Sequence, residues 1–209
     1  MYVSQLEIFN YRNFKNFTVE LKPVTQIIGE NNIGKSNLLD SLGLIFSQEV
    51  SFFKRRMLDI SDFNYSTILE LKKAILTTSI PPQDILYPKI LIKATLKDWN
   101  LKQEAVITDW MSNSDFTEAT LTYTFAPISS FNKVEEITQQ REFLKDYEEE
   151  IGTEEFKKIP EREILNLINF PISKYHYRIH GGNQNESLAN AYHLNQLKFE
   201  LLDALRDAK

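Results

Sequence analysis

Two of the chain's six glycines frame the segment from Gly29 to Ser36, which reads Gly-Glu-Asn-Asn-Ile-Gly-Lys-Ser. Glycines at its first and sixth places allow backbone N–H groups to turn inward around an anion, in conformations that a side chain would resist. The ammonium group of Lys35 can neutralise phosphate oxygens, and the Ser36 hydroxyl can bind Mg²⁺. The spacing therefore predicts a phosphate-binding loop of the Walker A type, with ATP and Mg²⁺ as its ligands.

The residues on either side of this loop have the periods of a strand and a helix. Residues 24–28 read Val-Thr-Gln-Ile-Ile, which predicts a short buried strand ending at Gly29. From Lys35 onward, Leu38, Leu39, Leu42, Ile45 and Phe46 fall on one face of an amphipathic helix. Such a helix directs its N-terminal amides and positive dipole end at the loop. The order strand, glycine loop, helix is the context that the motif requires.

The rest of the chain alternates between strand and helix patterns. Further strands are predicted at 3–9, 17–21, 89–96, 119–125 and 174–180. Helices are predicted at 101–111, 134–150, 161–170 and 188–209, and residues 68–80 fit either a helix or a helix followed by a strand. The pattern predicts an α/β fold, a P-loop lobe with a mixed sheet in which the loop strand is central. We expect this lobe at 1–130, continued by a helical, acidic segment with one strand at 131–209.

Composition narrows the class of protein. The chain has no cysteine, which excludes disulfides and thiolate metal sites and suits an intracellular protein. Neither a signal peptide at the start nor an apolar run of membrane-spanning length is present, so we expect a cytoplasmic protein that does not bind a membrane. The net charge is −5, and the acidic excess lies within 133–163. Phosphate binding must therefore rely on a local site, and any nucleic-acid surface must be a patch or lie elsewhere.

A family resemblance begins before the loop. Residues 10–14 read Asn-Tyr-Arg-Asn-Phe, and the loop continues as Lys-Ser-Asn-Leu-Leu-Asp. This combination resembles the N-terminus of the SMC/RecF-type branch of ABC ATPases. Within that branch the chain is most similar to the OLD (overcoming lysogenization defect) family of ATP-dependent nucleases, relatives of the Gabija defence nuclease. Ser-Asp-Phe at 61–63 and Asp-Ala-Leu-Arg-Asp-Ala at 203–208 extend the resemblance.

The resemblance implies an ABC/SMC-like ATPase lobe that belongs to a larger DNA endonuclease. Two such lobes would join around nucleotide as a homo-oligomer and control DNA cleavage by a Toprim domain, in phage defence and with a possible defence partner protein. It also implies that Arg12 lies near the nucleotide, although an exposed turn arginine remains an alternative. The predicted nucleotide-binding residues are Gly29, Asn31, Asn32, Ile33, Gly34, Lys35, Ser36, Asn37 and Arg12, with Ser36 as the Mg²⁺ ligand.

Several parts of the family pattern are not found in this sequence. A signature loop, a Walker B strand ending in Asp-Glu, a switch histidine and Toprim carboxylates are missing. Residues 105–109 are too short for Walker B and lack its second carboxylate, and residues 179–184 lack the serine of a signature loop, so a Gly-Gly turn is the better interpretation. No catalytic residue beyond Lys35 is predicted, and this segment alone is expected to lack turnover and nuclease activity.

Two other functions therefore stay open. The chain could be a non-hydrolysing, ATP-sensing assembly module, in which the missing Walker B strand is a property of the gene. It could also be an SMC/RecF-type DNA repair ATPase without nuclease activity. Toprim carboxylates, a coiled coil or a stop codon after Lys209 would distinguish these three functions.

Two charged patterns suggest weaker sites. Lys174, His176, Arg178 and His180 fall on one face of a predicted strand, either as a basic ridge for nucleic acid or as the solvated side of a half-buried strand. The two histidines lie about 13 Å apart on such a strand, too far to share a zinc ion. The glutamates at 148–150 are expected to face solvent or to contact a partner subunit.

Overall fold

A five-stranded antiparallel sheet organises the chain in the computed structural model, which describes residues 1–31, 33–47, 56–183 and 187–200. The strand order is β2-β1-β3-β4-β5. The strands are β1 (Tyr2–Tyr11), β2 (Phe14–Glu20), β3 (Ile90–Lys97), β4 (Ala119–Pro127) and β5 (Tyr175–Gly181). The α-helices are α1 (Lys35–Phe46), α2 (Tyr65–Leu76), α3 (Leu101–Ile107), α4 (Lys133–Ile151), α5 (Thr153–Phe156), α6 (Glu161–Leu167) and α7 (Ala191–Leu194). Single 3₁₀ turns occupy Ile60–Asp62, Pro82–Asp84, Thr108–Trp110 and Ile172–Lys174.

The alternation of side chains along the strands gives the sheet one apolar face. Leu6 and Ile8 of β1 stand opposite Ala94 and Ile92 of β3, and all four side chains are fully buried. Each buried Leu or Ile contributes about 1.5–3 kcal/mol relative to an exposed one. The neighbouring positions point to the other face, where Lys93 pairs with Glu7 at 3.0 Å. The core therefore lies on one side of the sheet, and the helices cover that side.

Helix α1 packs against β3 and β4 and is fixed at its C-terminus by Arg56. The Arg56 guanidinium donates to the carbonyls of Leu44 at 2.9 Å, Ile45 at 3.1 Å and Ser47 at 2.8 Å. A cation at this end also complements the helix dipole. Burial lowers the pKa of Arg56, and Tyr123 of β4 donates its hydroxyl hydrogen to the Arg56 carbonyl at 2.5 Å. The helix that follows the glycine loop is thus bound firmly to the sheet.

An aromatic cluster holds the 3₁₀ turn Ile60–Asp62 beside the β1–β2 hairpin. Phe63, directly after the turn, packs within 5.1 Å of Phe170 and 5.5 Å of Tyr175, measured between ring centroids. It also forms an isolated β-bridge with Tyr11, the last residue of β1. The cluster therefore places residues 59–64 next to the hairpin turn at residues 12–13, which forms part of the site described below.

The remaining helices are attached through backbone carbonyls. Arg141 of α4 donates to the carbonyls of Ile75 at 2.8 Å and Thr77 at 2.8 Å, at the end of α2. Lys72 of α2 donates to the carbonyl of Leu165 at 3.0 Å, which fastens α6. Strand β5 follows these helices and pairs with β4, so the sheet joins residues on both sides of position 130. Among the described helices, none combines the length and the apolar character needed to cross a membrane.

The α/β class and most predicted elements are confirmed. Helix α1 begins at Lys35 as predicted, and strands occur in each of the five ranges predicted outside the loop. For residues 68–80 the structure shows a helix that is not followed by a strand: α2 ends at Leu76, and residues 77–80 form a turn.

The predicted strand before the glycine loop is wrong. Residues 24–28 form no strand, and Val24 and Ile28 are 90% and 83% exposed, because no described strand lies beside them to pair with. The loop strand is therefore not the centre of the sheet, whose described pairings are all antiparallel.

Of the helix predicted at 188–209, the described residues 188–200 contain only the short helix Ala191–Leu194, and residues 201–209, with the Asp-Ala-Leu-Arg-Asp-Ala stretch, lie outside the described residues. Residues 187–189 instead lie along β5, where the amide of Ala189 donates to the carbonyl of Ile179 at 2.8 Å. This pairing with the sheet holds the backbone extended where the leucine spacing predicts helix.

Candidate phosphate-binding site

The glycine loop lies immediately before α1, and Gly34 is the residue that turns the chain into the helix. Gly34 has φ = 109° and ψ = 10°, in the left-handed region that favours glycine. Its carbonyl accepts from the amide of Leu38 at 3.0 Å, which closes the first turn of α1. A side chain at this position would also overlap the carboxamide group of Asn13. Both backbone conformation and packing therefore require glycine here.

The Lys35 ammonium group lies over the mouth of the loop. Its Nζ donates to the carbonyls of Gly29 at 2.5 Å and Glu30 at 2.5 Å. No carboxylate of the described residues lies within ion-pair distance of Lys35, so its charge is compensated only by these two carbonyl dipoles. A phosphate oxygen entering the loop would meet a positive charge that is already held in place.

The start of α1 offers several hydrogen-bond donors. The backbone N–H groups of Lys35, Ser36 and Asn37 have no partner within the described part of the chain, as expected for the first turn of a helix. The Ser36 hydroxyl is exposed and makes no hydrogen bond to any described residue. It is therefore accessible to a metal ion bound together with phosphate. Asn32, a predicted nucleotide contact, lies outside the described residues.

Arg12 is tied to both α1 and the 3₁₀ turn, and is not a free turn arginine. Its Nη1 donates to Asp40 at 2.6 Å and to the Asn37 carboxamide at 2.9 Å, and its Nε donates to Asp62 at 2.9 Å. The guanidinium carbon lies 5.0 Å from the centroid of the Tyr11 ring. Burial lowers the pKa of Arg12, but Tyr11 and the two carboxylates outweigh it and raise the pKa above its ordinary value. Arg12 is thus a fixed cation, paired with Asp40 and Asp62 and bonded to Asn37 in the first turn of α1.

Asn13, which sequence reasoning missed as a separate contributor, connects the hairpin turn to the loop. Its Nδ2 donates to the Ile33 carbonyl at 3.0 Å, and its Oδ1 accepts from Nδ2 of Asn37 at 2.7 Å. The only signal in the sequence is its place within the stretch from Asn10 to Phe14 that carries the family resemblance. Which side chains touch across 20 residues of sequence cannot be derived from that stretch.

A polar cavity of about 460 Å³ opens beside Arg12. Its walls come from the hairpin, from α1 and from the 3₁₀ turn, which are three separate parts of the sequence. The lining residues are Tyr11, Arg12, Asp40, Leu44, Met57, Leu58, Asp59 and Asp62. Asp40, Asp59 and Asp62 were not predicted as site residues.

The weaker candidate sites do not join this one. On β5, His176 and Arg178 are exposed but His180 is buried, 7% exposed, so the four residues do not form a continuous basic ridge. Glu149 faces solvent and pairs with Lys145 at 3.4 Å on the same helix. Residues 105–109 lie in α3 and the turn after it, not in a strand. In the described ranges, no three His, Asp or Glu side chains are placed to hold a metal ion.

Comparison with known protein families agrees with this geometry. The chain matches the family described as AAA ATPase domain (AAA_15) over residues 1–208. The match spans the hairpin, the glycine loop, the helix that follows it and the whole sheet. A lysine beside a glycine loop and the N-terminus of the helix that follows are the parts with which a P-loop ATPase binds phosphate. The chain therefore belongs to the AAA ATPase domain family.

Proposed function

We propose that this chain binds MgATP through the loop at residues 29–36. The observation that carries the proposal is the placement of the Lys35 ammonium over the carbonyls of Gly29 and Glu30, at the N-terminus of α1. Three amide donors without described partners and the positive end of the helix dipole stand at the same place. A triphosphate supplies the oxygens that all of these donors lack.

The phosphate groups and the metal ion each have a residue suited to them. Lys35 would neutralise β- and γ-phosphate oxygens, and Ser36 would bind Mg²⁺ that bridges them. Arg12 joins the same site through its hydrogen bond to Asn37, and its charge is compensated by Asp40 and Asp62. Hydrolysis also needs a residue that orients the attacking water, and we assign that role to residues beyond those identified here.

We place this ATPase domain in an OLD-like, ATP-dependent DNA endonuclease, with DNA cleavage performed by the full-length protein. The support is the resemblance over residues 10–14 and the loop, together with the Asp62 stretch, which contacts Arg12. In this proposal two domains of this kind associate around nucleotide and control a Toprim nuclease domain. A role in phage defence, with a possible partner protein, follows from the same resemblance.

A calorimetric titration with MgATP tests nucleotide binding directly. We expect Lys35→Ala to weaken binding about 100-fold, because two charge-assisted contacts to phosphate are lost. Lys22→Ala is the matched control, since Lys22 is exposed and its ammonium group has no described partner. If Lys35→Ala binds MgATP as tightly as the parent chain, the loop is not the nucleotide site. Phosphate release measured on the same samples shows whether the bound ATP turns over.

The nuclease role needs the full-length protein. Cleavage of supercoiled DNA should depend on ATP and change when Lys35 is replaced by alanine, while Lys22→Ala behaves like the parent. Absence of cleavage under every nucleotide condition would reject the nuclease assignment and leave the ATP-binding assignment in place. Nucleotide-dependent assembly without turnover or cleavage would then identify an ATP-sensing module.

A further inference from the structure

Three side-chain hydrogen bonds run in a single direction from Arg12 to the glycine loop. Arg12 Nη1 donates to Asn37 Oδ1 at 2.9 Å, and Asn37 Nδ2 donates to Asn13 Oδ1 at 2.7 Å. Asn13 Nδ2 then donates to the Ile33 carbonyl at 3.0 Å. Because each carboxamide accepts on one side and donates on the other, the charge of Arg12 polarises the whole chain of bonds toward Ile33.

We propose that Asn13 is a positioning residue for the phosphate loop, and that Arg12 acts on bound nucleotide through Asn37 and Asn13. This inference rests on the proposed function, since it concerns how the same loop is prepared for phosphate. It assigns a role to a side chain whose hydrogen bonds go to the Ile33 carbonyl and to Asn37. Its effect is exerted on the backbone between Ile33 and Gly34.

The peptide geometry explains how one carboxamide can set the loop. In a trans peptide the C=O and the following N–H point in opposite directions. Holding the Ile33 carbonyl against Asn13 therefore turns the Gly34 N–H away from Asn13. Without this bond the peptide could rotate and present its carbonyl oxygen to a phosphate, which would repel it.

The same side chain also restricts Gly34 by packing. The Asn13 carboxamide fills the space that a side chain on Gly34 would need, so Gly34 and Asn13 fit each other in one arrangement. That arrangement includes φ = 109° at Gly34, directly before Lys35. Asn13 therefore constrains Gly34, the residue directly before α1, in two ways: by a hydrogen bond to the preceding carbonyl and by contact.

The other end of the bond chain is anchored. Arg12 is held by two carboxylates, Asp40 at 2.6 Å and Asp62 at 2.9 Å, which belong to α1 and to the 3₁₀ turn. Asn64 also donates to the Arg12 carbonyl at 2.8 Å. Because the hairpin turn is fixed in this way, the position of Asn13 is set by the fold and does not depend on the loop that it holds.

Substitutions at Asn13 test the inference through nucleotide affinity. Asn13→Ala should weaken MgATP binding about fivefold, the loss expected for one hydrogen bond between neutral groups. Asn13→Asp keeps the acceptor for Asn37 but replaces the donor with an oxygen, so it should weaken binding at least as much. Asn16→Ala is the control, since Asn16 is exposed on the same hairpin and its side chain has no described partner. Asn13 is itself exposed, so the melting temperatures of all variants should stay close to that of the parent.

A double-mutant cycle separates positioning from a general loss of charge. If Arg12 acts through Asn13, the loss of affinity in the Arg12→Ala/Asn13→Ala variant is smaller than the product of the two single losses. Asn37→Ala, which breaks the same chain from the helix side, should match Asn13→Ala. Two results would overturn the inference, provided that Lys35→Ala still loses binding. One is a double variant whose loss of affinity equals the product of the two single losses, and the other is an Asn13 variant that binds MgATP like the parent. A parent chain that binds no MgATP would overturn the proposed function instead.

Discussion

Arg12 and Asp62, fifty residues apart in sequence, are joined twice. The amide N–H of Arg12 donates to the carbonyl of Asp62 at 2.7 Å, and its Nε donates to the Asp62 carboxylate at 2.9 Å. The second carboxylate oxygen of Asp62 accepts from the amide of Asp59 at 3.1 Å. The Asp62 carboxylate thus caps its own 3₁₀ turn and also fixes the hairpin turn that faces the phosphate loop.

Removing this carboxylate should lower stability. We expect Asp62→Ala to reduce the free energy of unfolding by about 2 kcal/mol, because a charge-assisted hydrogen bond and a cap of the 3₁₀ turn are lost together. Urea denaturation measures the change. Asp84→Ala provides the comparison, since Asp84 stands at the same place in another 3₁₀ turn but its side chain has no described partner. Equal losses in the two variants would contradict a special role for Asp62.

Arg56, at the C-terminal end of α1, predicts a larger effect. Arg56→Ala leaves the carbonyls of Leu44, Ile45 and Ser47 without their guanidinium donor. The free energy of unfolding should therefore fall by about 3 kcal/mol or more. Arg56→Lys should recover only part of this, because an ammonium group lacks the planar fork that reaches all three oxygens. The free energy of unfolding measures both.

Arg162 is exposed and has no described hydrogen bond, so Arg162→Ala is the control for Arg56 and should change stability by less than about 0.5 kcal/mol. A loss at Arg56 no greater than this would mean that the helix end is satisfied by other groups.

Two glycines with positive φ separate backbone strain from steric overlap. At Gly152→Ala the new methyl group meets no atom within 4 Å, so the free energy of unfolding should fall only by the backbone strain of φ = 89° and ψ = 140°, about 1–3 kcal/mol. Gly34→Ala combines the strain of φ = 109° with an overlap between the new methyl group and Asn13. It should therefore lower the free energy of unfolding more than Gly152→Ala does, and also weaken MgATP binding. Thermal melting and calorimetric titration report the two effects.

Adding Asn13→Ala to Gly34→Ala should recover part of the lost stability, because the overlap is removed while the strain stays. No recovery would indicate that strain alone sets the cost at Gly34. We expect the double variant to recover stability but not the MgATP affinity of the parent, since it also lacks the hydrogen bond from Asn13 to the Ile33 carbonyl.

His180 predicts a pH dependence of stability. Burial, and to a smaller extent the nearby Arg178, lower the pKa of His180 below its ordinary value of 6.5. Above about pH 6.5 the residue is neutral in both the folded and the unfolded chain, so it has no effect there. As the pH falls below that value the unfolded chain takes up a proton first, and stability is lost. The melting temperature measured between pH 7.5 and 5.5 should therefore fall less in His180→Gln than in the parent.

His176→Gln is the control for this measurement, since His176 is exposed on the same strand. It should keep the pH dependence of the parent. An unchanged dependence in His180→Gln would show that other groups are responsible for it.

Local patterns were sufficient to predict where the glycine loop gives way to a helix. The glycine spacing and the leucine period predict the loop and the start of α1 at Lys35, because both depend on residues within one or two turns of each other. Arg12 was singled out from the family resemblance, but its partners Asp40 and Asp62 were not. Such pairs form only after the hairpin and the 3₁₀ turn are brought together by packing around Phe63, and no local period encodes that.

The two wrong elements have the same physical origin. The apolar run at 24–28 fits a buried strand, but a strand needs a neighbour for its backbone N–H and C=O groups, and the sequence does not specify which one. The leucines after residue 188 fit a helix, yet residues 187–189 find partners along β5 and stay extended. In both places tertiary pairing decides between conformations that the side-chain pattern allows equally.

The exposed run before the loop has a practical consequence for work with this chain in solution. Apolar surface is exposed at Val24, Ile27 and Ile28, directly before the glycine loop, which must stay accessible to bind phosphate. Such surface promotes association between copies of the chain as protein concentration rises. Light scattering should therefore accompany each titration, and Ile28→Thr is a conservative way to improve solubility without touching the loop. The described part of the fold leaves this surface uncovered, so we expect it to be the first place where two copies of the chain adhere.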